Sequence, residues 1–143
     1  MKSLAVIYLT ALAAALTGCR PAPKVDEQAV LETVRANVAA MQREDLAGVM
    51  STVHSESPAA QTTGEQISEL FEQTSLRYSL SDLKIVEANA SEARVRFTQT
   101  TKSADAASDV NANTITGEHL LRSENGQWKI FSTQLAEIKQ LDP

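Results

Sequence analysis

Two periodicities divide the chain. From Val25 to about Gln42, apolar side chains recur at spacings of three and four residues and form one stripe, which predicts an amphipathic helix. From Leu76 onwards, apolar and polar residues alternate, which is typical of strands with one buried face. Helices followed by an antiparallel sheet predict the α+β class, with the helices packed on the sheet.

Two shorter helices are predicted after the first. One opens at Glu44-Asp45, and its apolar positions are Leu46, Val49, Met50 and Val53. A loop follows over residues 55–61. Thr63 is then placed to cap a third helix, with Gln66 three residues later completing a capping box. The buried face of this helix is predicted to consist of Ile67, Leu70 and Phe71.

Four strands are predicted after the helices. The first begins at Leu76. The second spans Ala93–Lys102, and the third spans Thr114–Ser123. The fourth runs from Gln127 to about Gln134. In the first strand the apolar alternation changes phase near Ser81-Asp82, which predicts a β-bulge. The small, polar segment 103–111 is predicted to be a loop. Asn125-Gly126 is a strong signal for a tight hairpin between the last two strands.

Residues 1–18 have the pattern of a secretory signal. Lys2 gives a positive start, and the thirteen residues Leu4–Leu16 are almost all apolar. As a helix this segment is about 20 Å long at ~1.5 Å per residue, too short for a hydrocarbon core of about 30 Å. A charged start, a short apolar stretch and small residues at the end predict a cleaved signal peptide.

The end of the signal is similar to a bacterial lipobox. Leu16-Thr17-Gly18-Cys19 matches the lipobox at all four positions. The resemblance to bacterial lipoproteins implies cleavage before Cys19, a diacylglyceryl thioether on its sulfur, and an acylated N-terminus. Since Cys19 is the only cysteine, an intramolecular disulfide and a thiolate metal cluster are both excluded.

The segment after the lipobox is predicted to be a tether. Residues 19–25 contain two prolines and no hydrophobic pattern. In lipoproteins of diderm bacteria, Asp directly after the cysteine is associated with retention at the inner membrane, and here that position is Arg20. The resemblance therefore implies a domain outside the cytoplasm, and outer-membrane delivery facing the periplasm in a diderm source.

Charge excludes one class of partner. The chain carries a net charge of −5, and removal of residues 1–18 takes only Lys2 from the charged residues, giving −6. No basic stripe is present, so nucleic-acid binding has no electrostatic support. The remaining residues 26–141 are about the size of one domain.

The order of the predicted elements resembles the nuclear-transport-factor-2-like fold, a cone formed by helices on a curved antiparallel sheet. The resemblance rests on the helix pair ending in EDLAGVMSTV and on the closing segment GEHLLRSENGQWKIFS, where Gly126, Trp128 and Ile130 fit the last hairpin. It covers roughly residues 26–135. It implies several functions, because this superfamily contains isomerases, cyclases, dehydratases and binding domains.

Candidate chemistry is sparse. His119 shares a strand face with Ile115, Gly117 and Leu121, and could be a general base in the cone or a hydrogen-bonded core residue. The resemblance to ketosteroid-isomerase-like enzymes implies a carboxylate base and a tyrosine, for which Tyr78 and Asp82 are the nearest types. A half-buried strand tyrosine and a solvent-facing bulge residue are the alternative interpretations. His54 is predicted to be a loop residue.

Neither a metal nor a cofactor is predicted, because the sequence has no His-x-x-x-His pair and no Gly-rich phosphate loop. The favoured hypothesis is a non-catalytic, membrane-anchored binding or assembly domain. Its partners would be the membrane through Cys19, a small apolar ligand, or a second copy through the sheet face that carries Arg94, Arg96 and Lys102. The alternative is a cofactor-free acid–base enzyme of the ketosteroid-isomerase or polyketide-cyclase kind. A core filled by Phe97, Ile115 and Trp128 would favour the binding domain.

Overall fold

The computed structural model describes residues 24–105 and 112–141. Three helices come first: α1 (Glu27–Gln42), α2 (Leu46–Ser51) and α3 (Ala60–Gln73). Four strands follow: β1 (Leu76–Ala88), β2 (Glu92–Ser103), β3 (Asn113–Glu124) and β4 (Gln127–Gln140). The strands form one antiparallel sheet in the order β1-β2-β3-β4. The predicted α+β class and element order are confirmed. The signal peptide, the lipobox and most of the tether lie outside the described residues.

The first two helices begin at aspartate caps. The Asp26 carboxylate accepts a hydrogen bond from the Ala29 N–H at 3.1 Å, and the Asp45 carboxylate accepts one from the Gly48 N–H at 2.9 Å. Such a cap satisfies one of the backbone N–H groups that the first helical turn leaves without a partner. α1 is joined to the end of α2 by a hydrogen bond of 2.8 Å from the Asn37 amide to the Thr52 hydroxyl.

The core lies where α1 crosses the sheet. Val30 and Val34 of α1 are fully buried against strand residues of the same cluster, which are Ala93, Val95, Leu121 and Ile130. Each fully buried aliphatic side chain of this kind contributes roughly 1.5–3 kcal/mol of transfer free energy. A parallel bridge between Val53 and Ile130 fastens the segment after α2 to β4.

Two predicted irregularities of the sheet are confirmed. The β1–β2 register shifts between Ser81 and Lys84, and Asp82 has a left-handed φ of 51° at this bulge. In the β3–β4 hairpin, Asn125 and Gly126 have φ values of 51° and 78°, as a type I′ turn requires. The turn matches the right-handed twist of its flanking strands and so fixes their register.

Two predicted boundaries are wrong. α3 begins at Ala60 after Ala59, which makes no side-chain cap bond, so Thr63 lies inside the helix and does not cap it. The predicted buried face of α3 is only half-buried, and the helix has no fully buried residue. β4 ends at Gln140 and not near Gln134. Of the predicted loop 103–111, Ser103 ends β2, and residues 106–111 lie outside the described part.

Candidate functional site

The candidate site is the face of the sheet that turns towards the helices. Directly opposed residues of neighbouring strands share a face. His119 lies opposite Val95 on one side and opposite Thr133 on the other, and Val95 is 0% exposed against α1. His119 is therefore on the helix-facing side, together with Gly117 and Leu121, as the alternation predicts.

Two contacts hold the His119 ring. It stacks on Phe97 with ring centroids 4.2 Å apart and an interplanar angle of 12°, and its Nδ1 lies 2.8 Å from the Thr133 hydroxyl oxygen. Burial of the ring lowers the pKa of His119 to about 4. The imidazole is therefore neutral at physiological pH. Within the described residues, the contact to Thr133 is the only hydrogen bond of this ring.

Gly117 makes this arrangement sterically feasible. It lies opposite Phe97, and a Cβ atom at this position would be 2.7 Å from the Gln134 carbonyl oxygen and 3.1 Å from Phe97 Cζ. The β3–β4 register shifts at this point, between Thr116 and Gly117. The missing side chain thus leaves room for the Phe97 ring and for the close approach of β4.

The other two sequence candidates do not join His119. Tyr78 lies opposite Thr101 of β2, whereas His119 lies opposite Val95, six residues away on the same strand. Tyr78 and His119 are therefore separated by about 20 Å along the strand direction, at ~3.3 Å per residue. Burial, and then the Glu44 carboxylate, raise the pKa of Tyr78. Asp82 is exposed at the bulge. The structure therefore does not assemble His119, Tyr78 and Asp82 into one site.

His54 is a buried structural residue at the hairpin end of the sheet. It is 7% exposed, and its ring meets Phe131 edge-on with centroids 5.5 Å apart. Its Nδ1 accepts a hydrogen bond from the Glu56 N–H at 3.1 Å and lies 3.7 Å from a Glu124 carboxylate oxygen. The Ser55 hydroxyl donates to the same carboxylate, and this hydrogen bond is the main cause of the lowered pKa of Glu124. His54 is a loop residue as predicted, but its burial could not be predicted from the residues around it.

The far end of the helix-facing surface is open and apolar. Leu135 and Ile138 of β4 are each 56% exposed, and they lie opposite Gly117 and the half-buried Ile115. Asn113, in the next row, has a buried side-chain oxygen that has no hydrogen-bond partner in the part of the chain that the structure describes. A ligand with an apolar body and one donor group would satisfy both features.

The open end could not be predicted from the alternation of apolar and polar residues. Leu135, Ala136 and Ile138 do not alternate, so the predicted strand stopped before them. The extra residue belongs to the β-bulge between the Gly117–Leu135 and Thr116–Glu137 pairs. The break in alternation is of the same kind as the one near Asp82, which predicted a bulge correctly. The same reasoning could have extended β4 beyond Gln134.

A separate groove of about 380 Å³ lies between α1, the end of α2 and the β3–β4 turn. Trp128 and Lys129 line it, and Trp128 also packs against the core. Two of its polar side chains bond within the chain: the Thr33 hydroxyl donates to the Trp128 carbonyl at 3.1 Å, and the Lys129 amino group donates to the Ser51 carbonyl.

Neither a metal cluster nor a membrane-spanning helix is found in residues 24–105 and 112–141. No three His, Cys, Asp or Glu side chains in these ranges are grouped so that they could hold a metal ion. No helix there is long and apolar enough to cross a membrane. Cys19, the predicted lipidation residue, lies outside these ranges.

Solved structures with the same fold have varied descriptions. A cystatin-like protein of unknown function from Nostoc punctiforme has a TM-score of 0.63 and 15% identity, over 77% of this chain and 89% of that chain. A ketosteroid isomerase-like protein from Erwinia carotovora atroseptica has a TM-score of 0.60 and 22% identity, over 82% and 98%. A nuclear-transport-factor-2-like protein of unknown function from Shewanella oneidensis has a TM-score of 0.61 and 12% identity, over 79% and 100%. At these identities the similarity shows the fold alone.

Sequence comparison shows the family. No curated protein matches the chain. The sequence profile described as "Anti-sigma-I factor RsgI9, C-terminal domain" matches residues 32–141, from within α1 to the residue after β4. The match covers well over half of the chain and all of the sheet. The chain therefore belongs to the family of the anti-sigma-I factor RsgI9 C-terminal domain, and its helices and curved sheet form a nuclear-transport-factor-2-like cone.

Proposed function

We propose that this protein is a membrane-anchored bacterial lipoprotein whose cone domain is a non-catalytic binding module for a small apolar ligand. The observation that carries the proposal is the open apolar end of the helix-facing surface. Leu135 and Ile138 are more than half exposed there, next to the amide oxygen of Asn113, which has no hydrogen-bond partner among residues 24–105 and 112–141. Exposed apolar side chains grouped with a convergent polar group are typical of ligand sites.

Energetics favour a ligand with a mostly apolar body. Covering apolar surface contributes about 25 cal/mol for each Å² removed from water. Asn113 adds selectivity, because its buried oxygen gains a hydrogen bond only from a ligand that carries a donor. The mildly acidic chain, with a net charge of −5, disfavours an anionic ligand.

The same face supplies little for catalysis. General acid–base chemistry requires a titratable group within roughly 2.6–3.2 Å of the proton that it moves. The described contacts of His119 are an aromatic ring and a hydroxyl, and the row of Tyr78 is about 20 Å away. The family name also supports a binding role, since it describes a domain of an anti-sigma factor and not of an enzyme.

One observation favours the alternative, a cofactor-free acid–base enzyme. His119 is neutral at physiological pH because burial lowers its pKa to about 4, so it could accept a proton from a bound substrate. Under this alternative, His119→Gln would abolish turnover of a ketosteroid-type substrate while leaving binding intact. Absence of any turnover by the unmodified protein would leave the binding function as the better account.

The anchor is proposed from the lipobox at residues 16–19 and from the single cysteine of the chain. Several acyl chains on Cys19 would hold the protein at the membrane almost permanently, because each buried CH₂ contributes about 0.8 kcal/mol. Arg20, directly after the cysteine, supports delivery to the outer membrane, with the domain facing the periplasm, if the source is a diderm bacterium. Residues 19–25 would then tether the domain outside the cytoplasm.

The anchor is tested by fractionation of cells expressing the full chain or Cys19→Ser. We expect the unmodified protein in the membrane fraction, with mass spectrometry showing an acylated Cys19 as the first residue. The Cys19→Ser variant should leave that fraction. An intact Met1 in the unmodified protein, or a membrane-bound variant, would refute the anchor.

The binding site is tested with the apolar fluorophore N-phenyl-1-naphthylamine added to the full chain carrying Cys19→Ser. We expect saturable fluorescence that Leu135→Ser weakens by about tenfold, because a large apolar contact is lost. Val86→Ser is the matched control, since Val86 is 47% exposed on β1 and outside the open end. Equal effects of the two variants, or no saturable signal, would contradict the proposed site.

A further inference from the structure

The two edges of the sheet differ in how they are protected. β1 is one edge strand, and its pairing with β2 shifts twice, at Ser81/Lys84 and at Ile85/Glu87, with Asp82 left-handed between the first pair. Such irregularities hinder another strand from pairing along an edge. In the regular stretch Leu76–Ser81, the Gln42 side chain occupies the outer edge: its Nε2 donates to the Leu76 carbonyl at 3.4 Å, and its Oε1 accepts from the Tyr78 N–H at 2.9 Å. β4 is the other edge strand. Its register with β3 also shifts twice, at Thr116/Gly117 and at Leu120/Leu121, but it is unbroken between Glu137 and Gln140.

The free edge of β4 carries available backbone groups. The Leu141 N–H donates to the Ala112 carbonyl of the neighbouring chain segment at 2.8 Å, so odd-numbered backbone groups of this stretch point towards β3. By alternation, the N–H and C=O groups of Ile138 and Gln140 point away from the sheet. Every residue from Thr133 to Gln140 is exposed. Among the described residues nothing pairs with these outward groups, so the end of β4 is a regular edge that is open to a further strand.

We propose that a second copy of this chain pairs with this edge, antiparallel and centred on Ile138. Two-fold symmetry then places Ile138 opposite its equivalent, and Glu137 of each copy opposite Lys139 of the other. Directly opposed residues share a face of the sheet, so each copy contributes one half of two opposite-charge pairs. The result is a continuous sheet of eight strands across the two-fold axis.

Charge selects this register over its neighbours. Sliding the second copy by two residues in one direction places Glu137 opposite its own equivalent. Sliding it in the other direction places Lys139 opposite its own equivalent. Like charges directly opposite each other destabilise a strand pair, so only the register centred on Ile138 is complementary in charge. The edge is thus self-complementary in both backbone groups and charge.

The sheet face that the sequence suggested for a homodimer offers less to a second copy. Arg94 and Arg96 already lie 3.5 and 4.0 Å from the carboxylate of Glu118 within the same chain. The threonines of this face pair across the strands, Thr98 with Thr116 at 3.4 Å and Thr100 with Thr114 at 3.1 Å. These polar residues therefore have internal partners, whereas the outward groups of the β4 edge do not pair with β3.

Charge exchange tests the proposed pairing. Sedimentation of the full chain in detergent should show a monomer–dimer equilibrium. Glu137→Lys creates two Lys–Lys pairs and Lys139→Glu creates two Glu–Glu pairs, so each variant should weaken the dimer by about tenfold or more. An equimolar mixture of the two variants should restore the dimer, as should the double variant. Circular dichroism confirms that each variant is folded.

A cysteine placed on the two-fold axis tests the register directly. Opposed hydrogen-bonded residues have Cα atoms about 5.5 Å apart, a distance that a disulfide spans. In the full chain carrying Cys19→Ser, Ile138→Cys should form a covalent dimer on oxidation. Gln134→Cys, exposed on the same strand but far from the axis, should not. A monomer at all concentrations, a dimer broken by Arg94→Glu but not by Glu137→Lys, or equal cross-linking at both positions would each overturn the proposal.

Discussion

Gly117 and Gly64 should respond oppositely to the same substitution. Gly117→Ala places a methyl group 2.7 Å from the Gln134 carbonyl oxygen, closer than non-bonded atoms tolerate, and 3.1 Å from Phe97 Cζ. The first contact is with backbone, so β4 must move. Overpacking of this kind costs about 1–3 kcal/mol, and alanine recovers roughly 0.4–1 kcal/mol by restricting the unfolded chain. We expect a net loss of about 1–2 kcal/mol.

Gly64→Ala is the matched control. Gly64 lies inside α3, and its added methyl group would meet only the Met50 sulfur at 3.5 Å and the Met50 methyl carbon at 3.6 Å, which are ordinary contacts. Glycine inside a helix costs roughly 0.5–1 kcal/mol relative to alanine. This variant should therefore be stabilised by up to about 1 kcal/mol. The two variants should differ by about 2–3 kcal/mol, although the chemical change is identical.

Urea denaturation followed by far-ultraviolet circular dichroism and by the fluorescence of Trp128, the only tryptophan, measures both free energies of unfolding. For a domain of this size, 1 kcal/mol corresponds to a Tm shift of about 4 °C. Gly117→Ala should also disturb the Phe97–His119 stack, which the His119 ring resonances would report. A Gly117→Ala protein as stable as the unmodified one would refute the steric argument.

Three further predictions concern stability. Leu121→Ala, which truncates a fully buried side chain, should lower the free energy of unfolding by about 2–5 kcal/mol in urea denaturation, whereas Leu135→Ala should cost much less. Asp45→Ala removes the cap on the Gly48 N–H and should cost about 1 kcal/mol, a loss that Asp45→Asn should largely avoid. Protonation of His119 is opposed in the folded state, where its pKa is about 4, but not in the unfolded state, where it is about 6.5. Stability should therefore fall as the pH drops from 6.5 to 4, by at most about 3 kcal/mol, and His119→Gln should remove that part of the pH dependence; parallel pH profiles would contradict it.

Local patterns predicted much of the fold. The stripe of α1, the change of phase at Ser81-Asp82 and the turn at Asn125-Gly126 are each contained in a few neighbouring residues, and each has a direct physical cause. The face of His119 also followed from alternation along a single strand. Such features need no knowledge of which residues meet across the sheet.

The features that the sequence did not predict depend on long-range register. The separation of Tyr78 from His119 follows from pairing with residues of β2 that are six positions apart. The role of Gly117 depends on the Gln134 carbonyl and the Phe97 ring, which belong to two other strands. The burial of His54 depends on Phe131, far along the chain. Side-chain periodicity carries no information on these pairings.

Gly117 lies at the boundary between two halves of the helix-facing surface. On one side of it, Val95 and Leu121 are completely buried beneath α1, so that half contributes mainly to stability. On the other side, β4 extends beyond the cover of the helices, and Ile138 is exposed both on its apolar face and along its free backbone edge. Apolar side chains and backbone groups outside the core remain available for binding, because they are buried only when a partner covers them. Ligand binding and self-association are therefore both expected at this one end of the sheet, and substitutions on the two sides of Gly117 should separate stability from binding.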